Sequence, residues 1–211
     1  MVMLSNASCA TNTITRGVED IFGMDFVISV CWIVFVLYWG VSAIGTKKTA
    51  ERLGIAALIK NRLPVILGVI LLFAPTPKTY LRFLGVRIVP HDAALMIMAD
   101  FFCLSGLAGA IWARRTIGGN WSGDVVIKEN HTLVEYGPYR WVRHPIYTGM
   151  LLMMLGTAMA TGHIGDILGW VLILCGLLVK LKQEESLMLS HFPDAYADYM
   201  SRVKRLIPYV Y

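Results

Sequence analysis

Read for hydrophobic and polar positions, the chain falls into long apolar runs separated by short charged connections. A membrane-spanning helix needs about 20 apolar residues, and Met24 to Gly45 and Ala93 to Ala113 reach that length. Pro145 to Thr161 and Ile164 to Leu181 come close, and with only Gly162 and His163 between them they predict a tight antiparallel hairpin. Leu63 to Ala74 is short, and spans only if it extends forward through Pro75 to Tyr80 or back through Lys60 and Arg62. The pattern predicts an all-α, polytopic membrane protein with about five transmembrane helices. It is read as one integral membrane domain over 1–211, with scaffold spans in 1–113 and a functional unit in 114–211 made of a loop, the hairpin and an interfacial tail.

Composition agrees. The 211 residues are 56% hydrophobic and only 16% charged, with a mean hydropathy of +0.61, which is too apolar for a soluble domain of this size. The first residues, including Asn6, Thr11, Asn12 and Thr15, form a polar tail without the basic start and short apolar core of a cleaved signal peptide. That leaves the first span as its own insertion signal. Placing the amino terminus outside and the carboxyl terminus in the cytoplasm leaves only Arg16, Lys78, Arg82 and Arg87 among the cations outside, as the positive-inside rule favours. A net charge of +5 then needs no nucleic acid to explain it, because a cytoplasmic face against anionic lipid suffices. Cys9, Cys31, Cys103 and Cys175 have no metal-ligand spacing and read as small packing residues. Asp100, inside the third apolar run, reads as a structural polar contact or a residue near the outer interface.

Small residues recur at helical spacing along the hairpin: Gly149 and Gly156, then Gly165, Gly169 and Gly176. Such spacing lets helix backbones approach closely in lipid, and predicts that the two hairpin helices pack on each other as a rigid pair. The segment before the hairpin, Arg114 to Arg140, is the longest connection in the chain, and long loops in small domains are usually functional. Its aromatic and aliphatic content predicts that it folds back over the helix ends and encloses a pocket. Beyond the hairpin, Leu189, Phe192, Tyr196, Tyr199 and Val203 follow a 3–4 spacing, and Pro193 predicts the start of a new helix lying against the interface.

The densest chemistry lies in His131 to Gly149, HTLVEYGPYRWVRHPIYTG, where two arginines, two histidines, three tyrosines and two prolines meet the start of an apolar helix. Charge at a membrane boundary is costly and marks a candidate site. Glu184 and Glu185 stand opposite, where the last long helix would leave the membrane. No Walker-type phosphate loop, Gly-x-Ser-x-Gly elbow or His-Glu-x-x-His zinc helix is present, and no metal site is expected. A plainer role fits the same residues. Arg140, Arg143 and His144 could anchor a helix end, Tyr136, Tyr139 and Tyr147 could form an interfacial belt, and Glu184 could pair with Lys180 one turn earlier.

The GPYRWVRHPIYTG core, Glu184-Glu185-x-Leu187, His191-Phe-Pro-Asp-x-Tyr196-x-x-Tyr199 and Arg205-x-x-Pro208 together resemble the isoprenylcysteine carboxyl methyltransferase family. The resemblance covers roughly the carboxyl-terminal half, and the earlier spans match in hydropathy alone. It implies a membrane enzyme using S-adenosylmethionine, with a cytoplasmic cofactor pocket at the ends of the last two spans. Carried over by motif, the cofactor would meet His131, Leu133, Val134, Gly137, Pro138 and Tyr139, then Arg143, His144, Tyr147 and Gly149, with Glu184 and Glu185 on the facing helix. Arg143, Glu185 and Arg205 are the implied catalytic residues, Arg205 being placed to meet an anionic substrate. The implied acceptor is a lipophilic small molecule or a prenylated cysteine entering from the bilayer, with membrane lipid the other partner. Phospholipid methyltransferases and NADPH-dependent reductases of lipid double bonds carry related carboxyl-terminal segments, so phospholipid N-methylation and lipid reduction stay open as alternatives.

Overall fold

The structure, a computed structural model, describes residues 26–44, 49–52, 55–74, 81–121, 126–128 and 132–210. The polar amino-terminal tail, Cys9 and the Pro75 to Tyr80 extension lie outside them. The helices are α1 (Phe26–Ala43), α2 (Ile55–Phe73), α3 (Ala93–Ile117), α4 (Pro145–Thr161), α5 (Ile164–His191) and α6 (Pro193–Arg202). The second apolar stretch gains its length backward, because α2 begins at Ile55 and takes in Lys60, Arg62 and Pro64.

Among the described residues three helices are long and apolar enough to cross a membrane: Phe26–Ala43, Ala93–Asn120 and Ile164–His191. The apolar parts of α2 and α4, Arg62–Phe73 and Pro145–Thr161, are shorter. At 1.5 Å per residue the 17 residues of α4 rise about 25 Å, a little less than a hydrocarbon core of about 30 Å. Ile33, Val36, Leu37 and Val41 on α1, with Ile97, Phe101 and Leu104 on α3, point outward and exposed. An apolar belt of this kind is stable only against lipid, and the protein is an integral membrane protein.

The described chain is all-helical as expected, with one short two-stranded ribbon added. Thr49–Arg52 (β1) and Val126–Lys128 (β2) pair antiparallel, Thr49 opposite Lys128 and Arg52 opposite Val126. Strands of three and four residues leave no alternating pattern long enough to read. They join the connection after α1 to the long loop after α3.

The hairpin expectation also changes. Helix α4 ends at Gly162, which takes a left-handed φ of 69° as a chain reversal requires, and α5 begins behind a capping box made by His163 and Asp166. Yet Gly149, Gly156 and Gly169 do not face the other helix of the hairpin. A Cβ on Gly149 would fall 2.5 Å from the Gly106 carbonyl oxygen of α3, and Gly156 meets the Ala99 carbonyl of the same helix. A Cβ on Gly169 would fall 2.7 Å from the Gly68 carbonyl oxygen of α2. The close pairs are therefore α3 with α4 and α2 with α5, and the hairpin bridges them. Two apolar clusters fill the seams. Ile28, Cys31, Cys103 and Met153 lie between α1, α3 and α4, and Leu72, Met154, Ile173 and Leu177 lie between α2, α4 and α5. Trp32 crosses from α1 to donate to the buried Thr157 hydroxyl at 3.0 Å. Cys175, in contrast, is exposed on α5.

Candidate active site

Pro145 occupies the first turn of α4 with His144 as its N-cap, a position where proline's fixed φ and missing N–H cost nothing. The extended residues just before it run beside the tail that follows α6. Arg143 donates its backbone N–H to the Lys204 carbonyl at 2.8 Å, and His144 does the same to the Arg205 carbonyl at 3.1 Å. Thr148 Oγ1 donates to the Leu206 carbonyl at 2.8 Å. Residues about sixty apart in sequence are thus locked backbone to backbone, and both arginines of the candidate site are delivered to one place.

That place is Glu185. Its side chain is 4% exposed and receives Arg143 Nη2 at 2.8 Å, Arg205 Nη2 at 2.5 Å and His144 Nε2 at 3.1 Å. Arg143 Nε adds a bond at 2.9 Å, and Arg205 Nε lies 3.0 Å from Oε2. Arg143 also donates through Nη1 to the Val203 carbonyl. Two guanidiniums converge on one carboxylate, so the cluster keeps a surplus positive charge and is rigid, since charge-assisted bonds fix both partners. A lone buried carboxylate would be costly, but one with this many donors is compensated.

Glu184, its neighbour, faces differently. Tyr147 donates its hydroxyl to Glu184 Oε1 at 2.7 Å. Lys180 Nζ lies 3.8 Å from the same oxygen and 5.2 Å from the centre of the Tyr147 ring. The expected Lys180–Glu184 surface pair therefore exists, but it is one edge of a network that includes Tyr147.

Above these residues opens a groove of about 860 Å³, counted out to its mouth, within the range of small-molecule sites. Arg143, His144, Tyr147 and Glu184 line one side, and Leu133, Val134 and Tyr139 another. Trp121, Tyr196, Leu187 and Met188 complete it. The two described ends of the connection after α3 meet at the groove, where Asn120 Nδ2 donates to Thr132 Oγ1 at 2.9 Å. Arg114 fastens its root. That side chain is buried, donates to the Gly118 carbonyl at 2.7 Å and to the Ser42 carbonyl of α1 at 2.6 Å, and sits 4.6 Å above the Trp121 ring in cation–π contact. On the tail side Tyr199 donates to the Tyr139 carbonyl at 2.6 Å. Burial pushes the Tyr139, Tyr196 and Tyr199 hydroxyls above the usual phenol range, so all three are neutral donors at neutral pH.

Of the residues expected at the cofactor, Leu133, Val134, Tyr139, Arg143, His144, Tyr147 and Glu184 line the groove. Glu185 and Arg205 lie behind its wall, in the ion cluster. Gly137 and Pro138 form the 3₁₀ turn that presents Tyr139, with Gly137 at a left-handed φ of 61° against Thr116. Gly149 belongs to the α3–α4 contact rather than to the groove. His131 lies outside the described residues. The groove also takes in Trp121 and Asn120, which in the sequence are only members of the long connection, and Tyr196, which belongs to the His191-Phe-Pro-Asp-x-Tyr196-x-x-Tyr199 motif but carries no assigned role there.

The site is thus that of an integral membrane protein with a half-enclosed, mainly apolar groove at one set of helix ends, into which a few charged and hydroxyl groups project. Comparison with known proteins makes this more specific. Residues 96–190 match the family model described as the isoprenylcysteine carboxyl methyltransferase (ICMT) family, so the resemblance read from the motifs holds for that region, which contains α4, most of α5 and the connection after α3. The protein-S-isoprenylcysteine O-methyltransferase of Schizosaccharomyces pombe is 35% identical over 96 residues, 44% of this chain and 41% of that protein. A methanethiol S-methyltransferase of Mycobacterium tuberculosis is 39% identical over 72 residues, 34% of this chain and 28% of that protein. The solved structure of the eukaryotic intramembrane Ras methyltransferase ICMT superposes with a TM-score of 0.48 at 25% identity, covering 74% of this chain and 52% of that one. The chain spans about half the length or less of these relatives.

Proposed function

We propose that this protein is a membrane methyltransferase that moves a methyl group from S-adenosylmethionine to a lipophilic acceptor, best fitted by the carboxylate of an isoprenylcysteine-like substrate. One observation carries the reading: a groove at one set of helix ends has Glu184 and Tyr147 on its wall and the surplus positive charge of the Arg143–Glu185–Arg205 cluster behind it. The family match over 96–190 supports the methyl-transfer class.

The residues suit this cofactor. Trp121, Tyr139, Tyr147 and Tyr196 offer aromatic faces, which favour a sulfonium by cation–π attraction. Glu184 can accept from a ribose hydroxyl or an ammonium, and the Arg143 edge can meet a carboxylate. When bound, S-adenosylmethionine supplies an electrophilic methyl carbon. A substrate carboxylate is already ionised at neutral pH, so no protein group need take a proton. The work of this chain is then to hold two reactants in line, exclude water and offset the carboxylate's charge. Arg205, Arg143 and Glu185 serve as one preorganised unit, with Glu185 fixing the two guanidiniums and their net charge drawing the anionic acceptor.

In this reading α2 and α4 complete five crossings, with the amino terminus outside and the groove facing the cytoplasm, where most cations gather. The acceptor enters through the bilayer beside the exposed apolar helices.

The test is methyl transfer by the protein in lipid nanodiscs, with labelled S-adenosylmethionine and three acceptors: a farnesylated N-acetylcysteine, a phosphatidylethanolamine and a short alkyl thiol. A base-labile methyl ester on the prenylcysteine is expected. Label in the amine lipid or in a thioether alone would overturn the carboxylate acceptor and leave only the methyl-transfer class.

A further inference from the structure

A second groove is lined by Arg140, Trp141, Arg202, Lys204 and Tyr209 and holds about 450 Å³ counted out to its mouth. Three cations converge on it. Arg202 is matched by Glu135 at 3.0 Å and Asp198 at 2.8 Å. Arg140 lies over the Trp141 ring at 4.7 Å, and neither Arg140 nor Lys204 has a carboxylate within ion-pair distance among the described residues. Against the two carboxylates on Arg202 the three cations leave a net charge of +1, and Arg140 and Lys204, the two without a carboxylate partner, form a site for an anion.

The surroundings identify which anion. Trp141 packs edge-on against Trp112 of the last turns of α3 at 5.4 Å, and both residues are exposed, as are Tyr209 of the groove and its neighbours Ile207 and Val210. Exposed tryptophan and tyrosine in a membrane protein mark headgroup depth, and exposed aliphatic side chains beside them offer a track for an acyl chain. Cations at that depth meet phosphate before they meet anything soluble. We infer that this groove binds one anionic phospholipid, with its phosphate between Arg140 and Lys204 and an acyl chain along Trp112 and Ile207.

The position gives the lipid a route to the first site. Val142 bridges to Lys204, and the Lys204 carbonyl accepts from the Arg143 backbone. A lipid on Lys204 thus braces the same two strands of backbone that carry Arg143 and Arg205 to Glu185. The inference stands on membrane location and local charge, and does not depend on the methyltransferase reading.

The experiment measures binding of dioctanoyl phosphatidylglycerol and dioctanoyl phosphatidylcholine to the detergent-purified full chain, with the Arg140→Gln/Lys204→Gln double variant alongside. Saturable binding of the anionic lipid is expected, with weak binding of the zwitterionic one. At about fivefold per cation near a phosphate, the double variant should lose roughly 25-fold, with an unchanged helical spectrum. Equal binding of the two lipids, or anionic binding untouched by the double variant, would overturn the inference. So would full displacement by millimolar inorganic phosphate, which would mark a simple anion site, or tighter binding of an acidic peptide, which would assign the groove to a protein partner. If the double variant does not fold, Lys204→Gln alone, at an exposed position, should show the fivefold loss.

Discussion

The two ends of the α4–α5 hairpin use the same chemical parts in opposite ways. At the turn end, Arg87 spends its guanidinium on the carbonyls of Ala160 at 2.7 Å and Val89 at 3.2 Å. Backbone bonds from Ile88 to Gly162 and from Ile164 to Val86 close the rest. Asp166 there is fully buried and caps its own helix, accepting from the His163 backbone at 3.2 Å. At the other end, Arg143 and Arg205 converge on a single glutamate beside an open groove. An arginine whose donors go to carbonyls and to His91 fastens backbone; two arginines held by one glutamate beside a groove are placed to act on a ligand. Polar density alone does not mark the site. The room beside it does.

The largest effect should come from breaking that cluster. Glu185→Gln leaves two largely covered guanidiniums facing each other without their buried carboxylate, and breaking a buried ion pair costs about 3–5 kcal/mol. Thermal unfolding in detergent should shift sharply downward and ligand binding should vanish. A variant with normal stability would show that the cluster is not the rigid unit described here.

Glu184→Gln sharpens the distinction between neighbours. Glu184 lines the groove without belonging to the cluster, so ligand affinity should fall about 10- to 100-fold, as for loss of a charged hydrogen bond, with little change in unfolding. Equal loss of stability in the two glutamine variants would erase the separation between groove wall and buried support.

Arg87→Ala tests the turn end. Loss of its carbonyl bonds should cost about 1–2 kcal/mol of stability and leave ligand affinity at the far end unchanged. A fall in affinity would make the turn part of the functional unit.

The smallest effect is in pH. Tyr139, Tyr196 and Tyr199 all belong to the site end, and burial raises their phenol pKa values above the usual range. The folded state therefore holds these protons more tightly than the unfolded chain. Their contribution is intact below about pH 10, the unperturbed phenol value, and is lost as pH rises beyond it. Unfolding temperature should fall above that pH, and less steeply in Tyr196→Phe.

Much of this was legible in the sequence. The starts of α3, α4 and α5 coincide with the apolar runs, because in lipid the backbone must satisfy itself and a helix is the local way to do so. Arg143, His144, Tyr147 and Glu184 share one groove as the motifs implied. Which helices pair was not legible. Small-residue spacing announces a close contact without naming the partner, so Gly149 and Gly169 pointed to each other's helix and not to Gly106 and Gly68. Nor could sequence separate Glu184 from Glu185, which are adjacent on one helix. Only the tail's pairing with Arg143 decides which of them receives Arg205. The β1–β2 pair and the role of Trp121 likewise depend on how distant segments meet.

The central claim is that the groove beside Glu184 and Arg143 binds an adenosyl cofactor. It is tested most directly by calorimetric titration of the detergent-purified protein with S-adenosylhomocysteine and, side by side, with NADPH, using Arg143→Ala as the control. Binding of S-adenosylhomocysteine alone, lost in Arg143→Ala, is the predicted result. Binding of NADPH alone would contradict the account and favour a lipid reductase, and S-adenosylhomocysteine binding that survives Arg143→Ala would move the cofactor away from this groove.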